Sequence, residues 1–160
     1  MILLHPYAQR LRTGLPNPKT PPVGWWEPII ASLEEPIVQI GVTGETPLVA
    51  DFRSDLPWAD IAVLVRRCSF WLSADSFLPH LAAHESTPGV VIWSVSDPLI
   101  FGYRRNLNLL KDRAHLRKSQ FDIWESQAYA VDAFMEPRAV IASIAAWQVN
   151  REDALMMEQA

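Results

Sequence analysis

Residues 69–85 read SFWLSADSFLPHLAAHE. SFWL is an apolar run of strand length, and the stretch from Leu78 to His84 reads as one or two helical turns. Asp75 and Ser76 lie at the joint, and His80 follows the acid by five positions. A buried strand that hands over to a helix at a single joint is one strand–helix unit, and the neighbouring sequence supplies others.

Upstream, ILLH (2–5) reads as a buried strand ended by Pro6. The stretch PYAQRLRTGLPNPKTPPVG (6–24) is too rich in proline and glycine for long regular structure, and a loop of this length is more often functional than idle. WWEPIIASLEE (25–35) places Trp26, Ile29, Ile30 and Leu33 at helical spacing, and PIVQIGV (36–42) is a β-branched strand stopped by the turn TGETP. Pro57 opens a helix with Trp58, Ile61, Ala62, Leu64 and Val65 on its apolar side. Downstream, GVVIWSV (89–95) is a strand, NLNLLK (106–111) a further one, and AHLRKSQFDIWESQAYAVDAF (114–134) reads as helical. A last helix starts near Pro137 and carries Val140, Ile141, Ile144, Ala145 and Trp147. Near-continuously apolar strands alternating with helices predict an α/β, Rossmann-like three-layer domain with a mainly parallel sheet. Residues 1–150 form this single domain in the reading, with 151–160 a frayed tail.

The bulk properties exclude several classes. The 160 residues suit one domain, and 49% hydrophobic with 20% charged residues is a globular composition. VVIW and IASIAAW are too short to cross a bilayer, and MILLHPYAQ lacks the pattern of a secretory signal. A single cysteine, Cys68, fits a reducing compartment, so the cytoplasm is expected. A net charge of −4 argues against broad nucleic-acid binding. Basic residues are nevertheless clustered. Arg10, Arg12 and Lys19 precede the first acid, Glu27, and Arg104, Arg105, Lys111, Arg113, Arg117 and Lys118 follow with only Asp112 among them. Such runs are either solvated faces or a local site for a small phosphorylated ligand.

In open α/β sheets, ligands bind where strands end and helices begin. At the 75–80 joint Asp75 can hold a ribose hydroxyl, Ser76 a phosphate, and His80 can face the same pocket. The competing reading makes Asp75 or Ser76 a helix cap and His80 a satisfied half-buried imidazole. Lys19 lies in a loop with no acid near it in sequence, as a phosphate partner should. Glu45 follows Gly44 in a turn, and Asp97 before Pro98 fixes another. His84 and His115 lack metal-ligand spacing. Of the seven tryptophans, Trp26, Trp58, Trp71, Trp93, Trp124 and Trp147 fall on apolar faces, while Trp25 and Trp147 are the candidates for a surface patch.

The stretch FWLSADSFLPHLAAHESTPGVVIWSVSDP resembles the C-terminal half of glycosyltransferase family nine, the ADP-heptose:lipopolysaccharide heptosyltransferases. Asp75, Ser76 and His80 stand in register with that family's Asp-Ser/Thr-Gly-x-x-His, followed by Leu81-Ala82-Ala83 and the turn Ser96-Asp97-Pro98. His5-Pro6 with Lys19 resembles the first strand and phosphate loop of that half, and GVTGE the turn whose acid, here Glu45, faces the nucleotide. The likeness runs from Leu3 to Tyr103. It implies one half of a GT-B glycosyltransferase, binding a nucleotide-diphosphate sugar through Lys19, Glu45, Asp75, Ser76 and His80, with phosphates at the helix starting near Ser76 and no cofactor or metal. The family's glycine is Phe77 here, which crowds the pyrophosphate position. The acceptor-binding half with its acid/base carboxylate lies outside the resemblance, so a partner chain or second copy would complete the cleft. Two functions follow: a glycosyltransferase-related nucleotide-sugar binder, or a non-catalytic binding or regulatory module on the same half-fold. A hydrolase would need His80 or Asp75 to activate water. Replacing Lys19 or His80 by alanine is expected to weaken nucleotide binding and leave the melting temperature nearly unchanged.

Overall fold

A computed structural model describes residues 1–122 and 127–158. The elements are β1 (Ile2–His5), α1 (Val23–Ala31), β2 (Ile37–Gly41), β3 (Asp51–Ser54), α2 (Trp58–Arg67), β4 (Phe70–Ala74), α3 (Leu78–His84), β5 (Val90–Trp93), α4 (Pro98–Phe101), β6 (Leu107–Leu110) and α5 (Pro137–Glu158). The six strands form one sheet in the order β3-β2-β1-β4-β5-β6. Every pairing is parallel. The fold is therefore the α/β Rossmann-like type that the alternating pattern predicts.

Strand side chains alternate between the two faces, so a sheet covered on both sides buries every position. Ile2 and Leu4 of β1, Phe70 and Leu72 of β4, and Val90 and Ile92 of β5 face one core with Trp26 and Ile29 of α1 and Val140 and Ile144 of α5. The intervening Leu3, Trp71, Val91 and Trp93 face the other, against Ile61 and Val65 of α2 and Leu78 and Ala82 of α3. These two cores explain why the central strands read as unbroken apolar runs. Trp71 is fully buried and donates its indole N–H to the Thr87 carbonyl at 2.9 Å. Gly89 lies against that ring, where a Cβ would stand 2.2 Å from it, so only glycine lets the chain pass into β5.

Four features differ from expectation. The first is β3, whose sequence DFRS gives no apolar run; it is an edge strand held by β2 alone, with mostly exposed side chains. The second is the segment 114–134, where the described residues hold the 3-10 turns Arg113–His115 and Val131–Ala133 and no α-helix. Hydrogen bonds to the chain after β5 and within the segment itself organise it instead. Arg117 N–H bonds the Val95 carbonyl at 3.0 Å, its guanidinium binds the carbonyls of Asp122 and Gln120, and the Gln120 amide bonds Asp97 N and Val95 O. Trp124, within this segment, lies outside the described residues.

The third concerns the tryptophans. Trp25 donates to the Met135 carbonyl at 2.9 Å and packs on Phe134, and the Trp147 ring meets Phe70 at 5.7 Å with the Arg151 guanidinium over it. Neither forms an open patch. The exposed large apolar side chains include Trp58 (64%), Leu99 (81%) and Phe121 (82%). The fourth is α5, whose backbone stays helical through 151–158, the segment read as a tail. Among the described residues, no helix is long and apolar enough to cross a membrane.

Candidate functional site

A parallel sheet brings the C-terminal ends of all its strands to one edge. His5 ends β1, Asp75 follows β4, and the turn Val42–Glu45 follows β2. Above them folds the 6–22 loop. It is pinned by Ser94 Oγ donating to the Pro18 carbonyl (2.8 Å), Lys19 N–H to Asn17 Oδ1 (2.8 Å), Asn17 Nδ2 to the Gln9 carbonyl (2.6 Å) and Ala8 N–H to Thr20 Oγ1 (3.0 Å). Between loop and sheet edge opens a cleft of about 630 Å³ whose lining includes His5, Lys19, Glu45, Asp75, Ser76 and Phe77. Four of the five residues singled out from the sequence thus meet in one place.

Lys19 is not clear of acids. Its Nζ lies 2.8 Å from Asp75 Oδ2, and the two side chains are 17% and 7% exposed. Asp75 also feels the Arg117 guanidinium, whose own pKa is lowered by burial and partly restored by Asp75 and Asp122. Sequence reading counted Arg117 only as one of a basic run. Glu45 folds back so that its Oε2 accepts the Val42 N–H at 3.1 Å. Burial raises its pKa, while the Val42 N–H and the Arg10 charge work the other way. Gly44, at φ 86°, makes this turn in a conformation that favours glycine, and the Arg10 guanidinium donates to its carbonyl.

Ser76 Oγ lies 2.9 Å from His5 Nδ1. Burial pushes the His5 pKa down to about 4, so the ring is neutral near pH 7. A neutral imidazole with so low a pKa is a weak base; it orients the serine hydroxyl and does not activate it. In sequence His5 was marked by its place at the end of the first strand and by the resemblance of His5-Pro6 to the family's first strand.

His80 stands apart. Two positions along a helix turn the side chain by about 200°, so His80 points away from Leu78 and Ala82, which face the core. Its Nδ1 meets the Tyr103 hydroxyl at 2.9 Å on the surface. His80→Ala is accordingly expected to leave both nucleotide affinity and melting temperature unchanged; a tenfold loss of affinity would restore it to the site. The helix start also offers little to an anion. Pro79 has no N–H, the N–H groups of His80 and Leu81 bond the Phe77 carbonyl at 3.0 and 3.1 Å, and Leu78 N–H leans on Ser76 Oγ at 3.4 Å. Attraction for phosphate falls to side chains, Lys19 first among them.

No protein-family model and no curated protein matches the chain. Solved structures do. The E. coli ADP-heptose lps heptosyltransferase II superposes with a TM-score of 0.60 at 18% identity, over 94% of this chain and 47% of that one. The E. coli heptosyltransferase WaaC with ADP gives 0.55 at 16%, covering 94% and 43%. The fold resembles one half of these heptosyltransferases. A third structure, the dodecameric iron-containing heptosyltransferase TibC with ADP-D-beta-D-heptose, gives 0.56 at 17% over 84% of this chain and 34% of that one. The chain spans less than half the length of these structures, and at such identities what is shared is the fold.

On this half-fold the cleft can bind and orient. It offers the Lys19 ammonium and Arg10 guanidinium, the Asp75 and Glu45 carboxylates, the Ser76 and Tyr7 hydroxyls, the Gln9 and Asn17 amides and the neutral His5 imidazole. Among the described residues no group of three or more His, Cys, Asp or Glu side chains is arranged to hold a metal ion. Of the two residues that sequence offers as a base for water, Asp75 is engaged by Lys19 and His80 is outside the cleft.

Proposed function

We propose that the chain binds a nucleoside-diphosphate sugar in the cleft at the C-terminal edge of the sheet. The observation that carries this is the convergence of Lys19, Glu45, Asp75 and Ser76, which are far apart in sequence, around one opening of about 630 Å³. In this reading Lys19 meets the phosphates, the Ser76 hydroxyl adds a hydrogen bond, and Glu45 accepts from ribose or base hydroxyl and N–H groups. The two solved heptosyltransferases that carry ADP or ADP-D-beta-D-heptose on the same fold support the ligand class. Glycosyl transfer then requires an acceptor wall and an acid/base carboxylate from a partner chain or a second copy, because the resemblance places both in the other half.

A second reading, a non-catalytic binding or regulatory module, is favoured by two details. The Lys19 charge is already countered by Asp75, and the Phe77 ring is wedged between His5 (4.7 Å) and Trp58 (4.8 Å) at the family's glycine position. Calorimetry with ADP and ADP-sugars on the native chain and on Phe77→Gly separates them. Ligand heat from the native chain, increased about tenfold in affinity by Phe77→Gly, is the expected result. Heat from neither protein would leave the module reading.

A further inference from the structure

The candidate cleft carries both charged and apolar side chains. Lys19, Arg10, Asp75 and Glu45 supply its charges. Val42, 49% exposed, and Phe77, from the start of α3, line it with apolar surface. The rings continue outward. His5 at the floor packs edge-on to Phe77, and Phe77 packs edge-on to Trp58, with interplanar angles of 63° and 87°. Trp58 is the first residue of α2 and leaves 64% of its surface open. Its orientation is held from below by Phe77 while its outer surface stays free.

We propose that Trp58 is the platform on which the aromatic base of the bound nucleotide stacks. The inference rests on the nucleotide-sugar reading of the cleft and adds the end of the site that recognises the base. The Lys19 and Arg10 cations of the cleft and the aromatic side chains beside it match a ligand with an anionic group joined to a flat ring, and an exposed indole receives the face of any base because every base has a π-face. The platform gives affinity for nucleotides over inorganic phosphates and little choice among bases. Choice among them falls to acceptors such as Glu45.

The test compares ADP with inorganic pyrophosphate on the native chain, Trp58→Ala and Trp58→Phe, by calorimetry. An exposed side chain is a mild place to truncate, and an unchanged melting temperature checks the fold of each variant. Trp58→Ala is expected to weaken ADP binding about 5- to 100-fold, to leave pyrophosphate binding within about twofold, and Trp58→Phe to recover most of the ADP affinity. Equal ADP affinity in native and Trp58→Ala proteins overturns the platform, as does an equal loss for pyrophosphate. A native chain that binds ADP no more tightly than pyrophosphate overturns the platform alone. One that binds neither overturns the cleft reading and the platform with it. A change of oligomeric state in Trp58→Ala at unchanged ADP affinity reassigns the indole to a protein interface.

Discussion

Lys19→Met is expected to lower folding stability by about 3 kcal/mol, the low end for breaking a buried ion pair, or roughly 6–12 °C in melting temperature. The variant leaves the Asp75 carboxylate, 7% exposed, without its partner at 2.8 Å. Arg117 attracts the same carboxylate and holds the cost to the low end. From sequence Lys19 was read as a phosphate partner whose replacement would leave the melting temperature nearly unchanged, and the ion pair reverses the second part of that expectation. Asp75→Asn should cost less, because the lysine can extend its charge toward water. In Lys19→Met/Asp75→Asn neither charge remains, so the double variant should be more stable than the sum of the single losses by 1 kcal/mol or more. Urea unfolding of the four proteins gives the cycle. Additive losses, or a shift below about 2 °C for Lys19→Met, would show that the pair contributes nothing.

His5 makes stability depend on pH. In the unfolded chain the imidazole takes a proton near pH 6.5, and in the folded chain only near 4, because burial disfavours the charged ring. As pH falls through this window the unfolded state binds the proton first, so the contribution is fully present above pH 6.5 and is lost on the way to pH 4. A difference from 6.5 to about 4 corresponds to about 3 kcal/mol. Glu45, with its carboxyl raised by burial, works in the opposite sense. His5→Gln keeps a hydrogen-bonding group beside Ser76 and removes only the titration. Between pH 7 and pH 4 the native protein should lose about 3 kcal/mol more than His5→Gln in urea unfolding. Parallel pH curves for the two proteins would mean that the ring takes its proton without unfolding.

The strands that pack on both faces were legible because burial on two sides leaves an apolar run with no polar interruptions, as in ILLH, FWL and VVIW. β3 was not, because an edge strand with exposed side chains needs no such run. The segment 114–134 misled because its apolar residues satisfy a helical spacing while the Arg117 N–H and the Gln120 side chain bond Val95 and Asp97 after β5, which no local pattern records. In the site, the joint after β4 was visible as an acid and a hydroxyl between strand and helix. The Lys19–Asp75 pair was not, since it exists only once the 6–22 loop is pinned over β4 and β5. His80 was assigned by register with a motif, and register does not tell which side of a short helix faces the ligand.

β3 also limits how chains can assemble. It pairs with β2 on one side only, which leaves a row of backbone N–H and C=O groups at the sheet margin. Such a margin is a template on which another chain can add a strand. Here it is four residues long and carries an exposed Asp51–Arg53 ion pair, bonded at 2.9 and 2.8 Å. A strand arriving from a neighbour would have to lie beside that charged pair on a very short scaffold, with few backbone bonds in return. Growth of the sheet from copy to copy is disfavoured at this end.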